Sequence, residues 1–127
     1  ADCSDMSDIA TGSLASISSL HALEHFGLGR YGDPVDPDQY RKAMKEIQRV
    51  TKKGGDIYIA VPIGSQRVEF NAHRIFDPKT IIKIFSDCTL KEFSAINDLD
   101  EFQANASTSK FSQAHYSCGM FHFKKKI

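Results

Sequence analysis

Residues 56–63, DIYIAVPI, are β-branched or apolar at nearly every position. A strand sends alternate side chains to opposite faces, so this one is apolar on both. Such a strand needs cover on both sides, as in a parallel sheet flanked by helices. Pro62 cannot donate to a ladder and closes the run. This stretch constrains the fold more than any other, because it asks for a parallel sheet covered by helices.

The flanking segments fit that demand. Asp36 suits an N-cap, Pro37 the first helical position, and Gln39 completes a capping-box-like pattern. Tyr40, Ala43, Met44, Ile47 and Val50 then recur at helical spacing as one apolar stripe. Lys52 and Lys53 suit the negative end of the helix dipole, and Gly54 offers a left-handed stop. Upstream, residues 14–20 (LASISSL) predict a short buried strand, and HALEHF a helical turn. Downstream, Asp77-Pro78 repeats the cap chemistry, and Ile81, Ile82 and Phe85 give a second helix its apolar side. TLKEFSAIND and AHYSCGMFHFKK read as two closing antiparallel strands, with QANASTS between them as loop. The order is β-α-β-α-β-β, an α/β chain with a mostly parallel sheet and an antiparallel final strand.

Its 127 residues make a single domain. Lys and Arg number 16 and Asp and Glu 16, so a zero balance makes no case for nucleic acid as a bulk partner. No apolar run reaches the ~20 residues a membrane helix needs. Cys3, Cys88 and Cys118 are too widely spaced for a zinc pattern and odd in number, which suits reduced thiols in a cytoplasmic protein. The scattered histidines offer no metal-ligand spacing. Lys124, Lys125 and Lys126 read as a solvated strand end. GLGRYG at residues 27–32 follows a helical turn rather than a strand, so it is not read as a phosphate loop.

Asp2, LASISSLHALEH at residues 14–25 and EIQRVTKKGGDIYIAVP at residues 46–62 stand in an order that resembles the C-terminal half of class I S-adenosylmethionine-dependent methyltransferases. VEFNAHRIFDP at residues 68–78 is similar to a methyltransferase-like family of unknown function. The resemblance implies a partial Rossmann-like methyltransferase fold, without the N-terminal strands and Gly-rich cofactor loop. Two positions depart from the common pattern: Ala15 stands where the family has Asp, and Lys53 where it has Pro.

The resemblance also implies roles. Asp2 would accept from the adenine of S-adenosylmethionine, and Ser18, Ser19 and Leu20 would line its methionine part. His21 at the strand end would be the catalytic base, because a neutral imidazole takes a proton near neutral pH. Asn71, His73 and Arg74 would orient a small-molecule substrate, Arg74 through its two-pronged guanidinium. Plain alternatives stand beside each: a solvated terminus for Asp2, a strand-to-helix turn capped by Ser19, and a surface loop for Asn71, His73 and Arg74. The expected function is methyl transfer to a small molecule. The alternative is an inactive interaction module, with a homodimer formed through the exposed strand Leu14–Leu20.

Overall fold

The computed structural model describes residues 6–20, 23, 39–68, 74–114 and 117–127. Strand β1 (Leu14–Leu20) leads to helix α1 (Gln39–Val50), then strand β2 (Thr51–Ile63). A two-strand ribbon comes next, β3 (Arg67–Val68) with β4 (Arg74–Ile75), then helix α2 (Pro78–Ile84). Strands β5 (Cys88–Ile96), β6 (Phe102–Gln103) and β7 (Ser117–Lys125) complete the chain. The main sheet has the order β1-β2-β7-β5-β6. β1 and β2 are parallel, and β7 runs antiparallel to both β2 and β5. The last strand therefore enters the middle of the sheet, and β5 comes to run parallel with β1 and β2.

The alternation of each strand sorts the sheet into two faces. Ile17, Ile57, Ile59, Phe121 and Phe123 share one register row, and the strand residues of that row are buried or half-buried. They join one core with Ala43, Met44 and Ile47 of α1 and Ile81 of α2. Phe85, just past α2, stacks on Phe123 with centroids 4.7 Å apart. The opposite face carries Leu20, Tyr58 and Phe102, which are 64%, 42% and 64% exposed. β1 is thus a largely exposed edge strand rather than the buried strand its composition suggested, because its only partner among the described residues is β2.

The apolar stripe of α1 is buried as expected, but the helix ends sooner than the lysines and glycine implied. It stops at Val50, where Thr51 Oγ1 donates to the Ile47 carbonyl at 2.7 Å. Residues 52–55 then bulge out of the β1–β2 ladder, which jumps from Leu14–Thr51 to Ser16–Asp56. Gly54 sits at φ +78° there, and a Cβ on Gly55 would lie 2.8 Å from the Lys52 carbonyl oxygen. Lys52 and Lys53 point to solvent. The cation at the helix end is Lys125, whose Nζ donates to the carbonyls of Gln48 at 2.6 Å and Thr51 at 2.9 Å. It satisfies carbonyls that the last helical turn leaves without N–H partners.

The terminal lysines are therefore not a solvated strand end. Lys124 pairs with Asp56 at 3.0 Å, and Lys126 donates to the Ser86 carbonyl at 3.2 Å. Gln48, which no pattern singled out, is 4% exposed and ties α1 to the segment beyond α2. Its Nε2 donates to the Ile84 carbonyl at 2.9 Å, and its Oε1 accepts from Asp87 N at 3.3 Å. Arg49 fastens the N-terminal segment by donating to the carbonyls of Met6 and Ile9 while paired with Glu46. Asp77 caps α2 as expected, its Oδ1 accepting from Lys79 N at 2.9 Å. Cys88 and Cys118 are free thiols, and burial pushes that of Cys88 up to about 11, which makes it inert.

Replacing Lys125 with Met leaves two carbonyls at the helix end without a donor. The expected cost is about 1–3 kcal/mol. Lys53→Met, at a solvent-facing position, should stay within about 0.5 kcal/mol of the parent. Urea unfolding midpoints of the two variants check the contrast.

Candidate functional site

β1 and β2 are parallel, so their carboxyl ends, Leu20 and Ile63, open on the same end of the sheet. Open α/β sheets place ligands at such ends. The turn after β2 is firmly built. Gly64 N donates to the Phe76 carbonyl, Phe76 N to that of Pro62, and Asp77 N to Gln66 Oε1. These bonds hold the β3–β4 ribbon against the end of β2.

Arg74 of β4 is 4% exposed. Its guanidinium lies 4.6 Å from the centroid of the Tyr40 ring, which also meets Phe76 edge-on at 5.3 Å. A desolvated guanidinium over an aromatic face is a stabilising contact. Arg74 thus packs the ribbon onto the start of α1. Asp2, His21, Asn71 and His73 lie outside the described residues.

Ser18, Ser19 and Leu20 fall at the end of β1 as expected, yet alternation divides them. Ser19 pairs with Ile59 and belongs to the helix-covered face, whereas Ser18 and Leu20 pair with Tyr58 and Ala60 on the open one. Ser18 and Leu20 are exposed, and Ser19 is 7% exposed. Its Oγ is buried with no hydrogen-bond partner among the described residues. Buried hydroxyls are normally bonded, and one left alone carries its desolvation cost. Nothing in the residue type of Ser19 signals this state; only the pairing of β1 reveals it.

A second polar group stands on the open face. Asp56 Oδ1 meets His122 Nε2 at 2.9 Å and Lys124 Nζ at 3.0 Å. The His122 hydrogen bond, then that of Lys124, holds the Asp56 carboxyl below the usual carboxylate range. Tyr58 stacks on the His122 ring at 4.5 Å. Leu20, Ala60, Phe102 and Met120 join Tyr58 and His122 around a groove of about 310 Å³. Nothing local in the sequence marks His122 as half of an ion pair. Its acid partner lies 66 positions away and is supplied only by the β2–β7 register.

The parallel pair β1–β2, a reversed β7 beside β2, and helices packed on one face together define the α/β fold of S-adenosylmethionine-dependent methyltransferases. Solved structures with that fold superpose on the chain. The 4+2 cyclase SpnF matches all of it with a TM-score of 0.67 at 9% identity, over 54% of the cyclase. A Bacillus halodurans protein assigned as a methyltransferase matches all of it with 0.66 at 13% identity, over 70% of that protein. The N-methyltransferase NodS of Bradyrhizobium japonicum, bound to S-adenosylhomocysteine, matches 97% of the chain with 0.57 at 16% identity, over 52% of NodS. The chain thus spans about half the length of the cyclase and of NodS. No curated protein sequence matches it significantly. Residues 4–118 match the family DUF268, described as a Caenorhabditis protein of unknown function, and the chain belongs to that family. Among the described residues, no helix is long and apolar enough to cross a membrane.

Asp56 and Glu46 have lowered carboxyl pKa values, Glu46 chiefly through its bond from Arg49. A depressed folded value contributes stability above the unfolded pKa, and that stability is lost as pH falls through the folded one. Unfolding midpoints should therefore drop below about pH 4. Asp56→Asn should flatten this acid limb, as followed by urea melts between about pH 2 and pH 6.

Proposed function

We propose that the chain is a methyltransferase-like domain whose β1 end forms one wall of an S-adenosylmethionine site, with methyl transfer to a small-molecule acceptor. One observation carries this: the unpartnered, buried hydroxyl of Ser19 at the carboxyl end of a parallel strand. A bound polar group would satisfy that hydroxyl, so the residues present fit a cofactor there. The bound cofactor supplies a methyl group already activated on a sulfonium. Methyl transfer then asks the protein mainly for positioning.

In this reading Ser19 and the backbone of Ser18 and Leu20 hold the methionine part, and Asp2 accepts from the adenine. His21 takes a proton from the acceptor's attacking group. Asn71 and His73 orient the acceptor. Arg74, already packed on Tyr40, shapes the ribbon that carries them. SpnF, a cyclase on the same fold, illustrates that this fold does not fix the reaction. The acceptor's identity therefore belongs to the site residues and not to the fold.

Ser19→Ala separates the roles. Removing an unsatisfied buried hydroxyl should raise the stability of the ligand-free chain by about 1 kcal/mol. It should also weaken S-adenosylhomocysteine, measured by calorimetric titration, from an expected Kd tighter than ~100 μM. Absence of saturable heat with the parent chain defeats the cofactor reading.

The exposed edge favours a second reading. Leu14–Leu20 has no charged residue or Pro, and among the described residues its outer side pairs with no strand. Edges of this kind are normally blunted or covered. An interaction module would use it to pair with a second copy. Sedimentation should then show a dimer that Ile17→Lys returns to monomer. A monomer at all concentrations contradicts it.

A further inference from the structure

Helices α1 and α2 lie side by side, and their outer surfaces form a groove of about 360 Å³. Arg41 and Lys45 border it from α1, Thr80 and Lys83 from α2, with Ile84 and Ser86 completing the lining. Among the described residues that line it, three are cations, two carry hydroxyls and none is a carboxylate. Through Lys45, Ile84 and Ser86 it continues into a second groove of about 440 Å³, which ends beside Arg49, Asp87 and Lys125.

The two lysines of the first groove are not spent on the fold. Lys45 and Lys83 are exposed, and neither makes an ion pair or hydrogen bond among the described residues. Arg41 and Lys45 stand four residues apart on one helix side, where like charges repel. Arg49, one turn further, is matched by Glu46, but no acidic residue of the groove matches Lys45 or Lys83. Because the whole chain is neutral, this is a local excess.

The shape selects the occupant. Arg41 to Gln48 spans about 10 Å along α1 at about 1.5 Å per residue. A run of that length exceeds what one phosphate occupies and suits an extended segment. Nucleic acid fits poorly: among the described residues, no aromatic ring lines either groove to stack a base. Ile84, partly buried in the floor common to both grooves, offers an apolar seat between the charges.

We propose that the α1–α2 groove docks an extended acidic segment of a partner protein, one with apolar side chains set between its carboxylates. This surface lies on the far side of the helices from the sheet. It is independent of whether the β1 end holds a cofactor.

Fluorescence anisotropy of the full chain tests it with a labelled peptide of alternating Glu and Leu. The comparator is a single-stranded oligonucleotide of equal charge. The peptide should bind at low ionic strength and weaken toward about 0.15 M salt, where screening extends over about 8 Å. The double variant Lys45→Glu/Lys83→Glu should weaken it at least about tenfold, as removal of complementary charge does. Lys45→Arg/Lys83→Arg should retain it. If charge reversal perturbs the circular dichroism spectrum, Lys45→Gln/Lys83→Gln replaces it with the same expected direction. Unchanged peptide affinity in the charge-altered variants, tighter binding of the oligonucleotide, or no binding at low salt each overturns the proposal.

Discussion

The whole sheet depends on the pairing of β7 with two strands at once. β7 is the last element of the chain, yet it meets β2 on one side from Asp56–Lys124 to Ile63–Ser117, and β5 on the other from Cys88–Lys125 to Ile96–Cys118. Until it inserts, β2 and β5 each present an open ladder. Long-range pairing of this kind is entropically costly and forms late. Gly119 makes the insertion possible: a Cβ there would lie 2.8 Å from Ile63 Cγ2. The same strand delivers Phe121 and Phe123 to the core, Lys125 to the end of α1, and His122 and Lys124 to Asp56. One register thus sets the core, a helix terminus and the open-face polar group together.

The open face arises from the same arrangement. A strand apolar on both sides, such as β2, normally has cover on both. Here α1 and α2 cover one side, and Tyr58, Leu20 and Phe102 remain exposed on the other. The β1 edge is open as well. The described residues therefore satisfy the burial demand of β2 on one face and leave the parallel end, where Ser19 sits, beside exposed apolar surface. A site at that end and an interaction along that edge draw on one physical fact, which is that β1 has a single neighbour among the described residues.

Much of the fold was legible because its signals are local. The apolar stripe from Tyr40 to Val50, the Asp77 cap and the dense strand ending at Pro62 each depend on residues within a few positions. The candidate site was legible in part. The ends of β1 and of the turn after β2 derive from strand order, so Ser18, Ser19 and Leu20 were placed on the correct element. The side each faces was not, because a bulge at residues 52–55 fixes how β1 aligns with β2. The burial of Arg74 against Tyr40 was not legible, since it depends on a ring 34 positions earlier.

The sequence by itself determined the alternation of strands and helices, the two helix faces and the class of fold, since periodicity and capping act over a turn or two of backbone. Tertiary structure decided where the charges and hydrogen bonds between distant segments were used. Lys125 rather than Lys52 or Lys53 caps α1, because β7 passes beneath the helix end and the bulge turns the nearer lysines to water. Asp56 finds His122, and Ser19 finds no partner among the described residues, for the same reason: hydrogen bonds reach about 3 Å, and only the assembled sheet fixes which atoms stand that close.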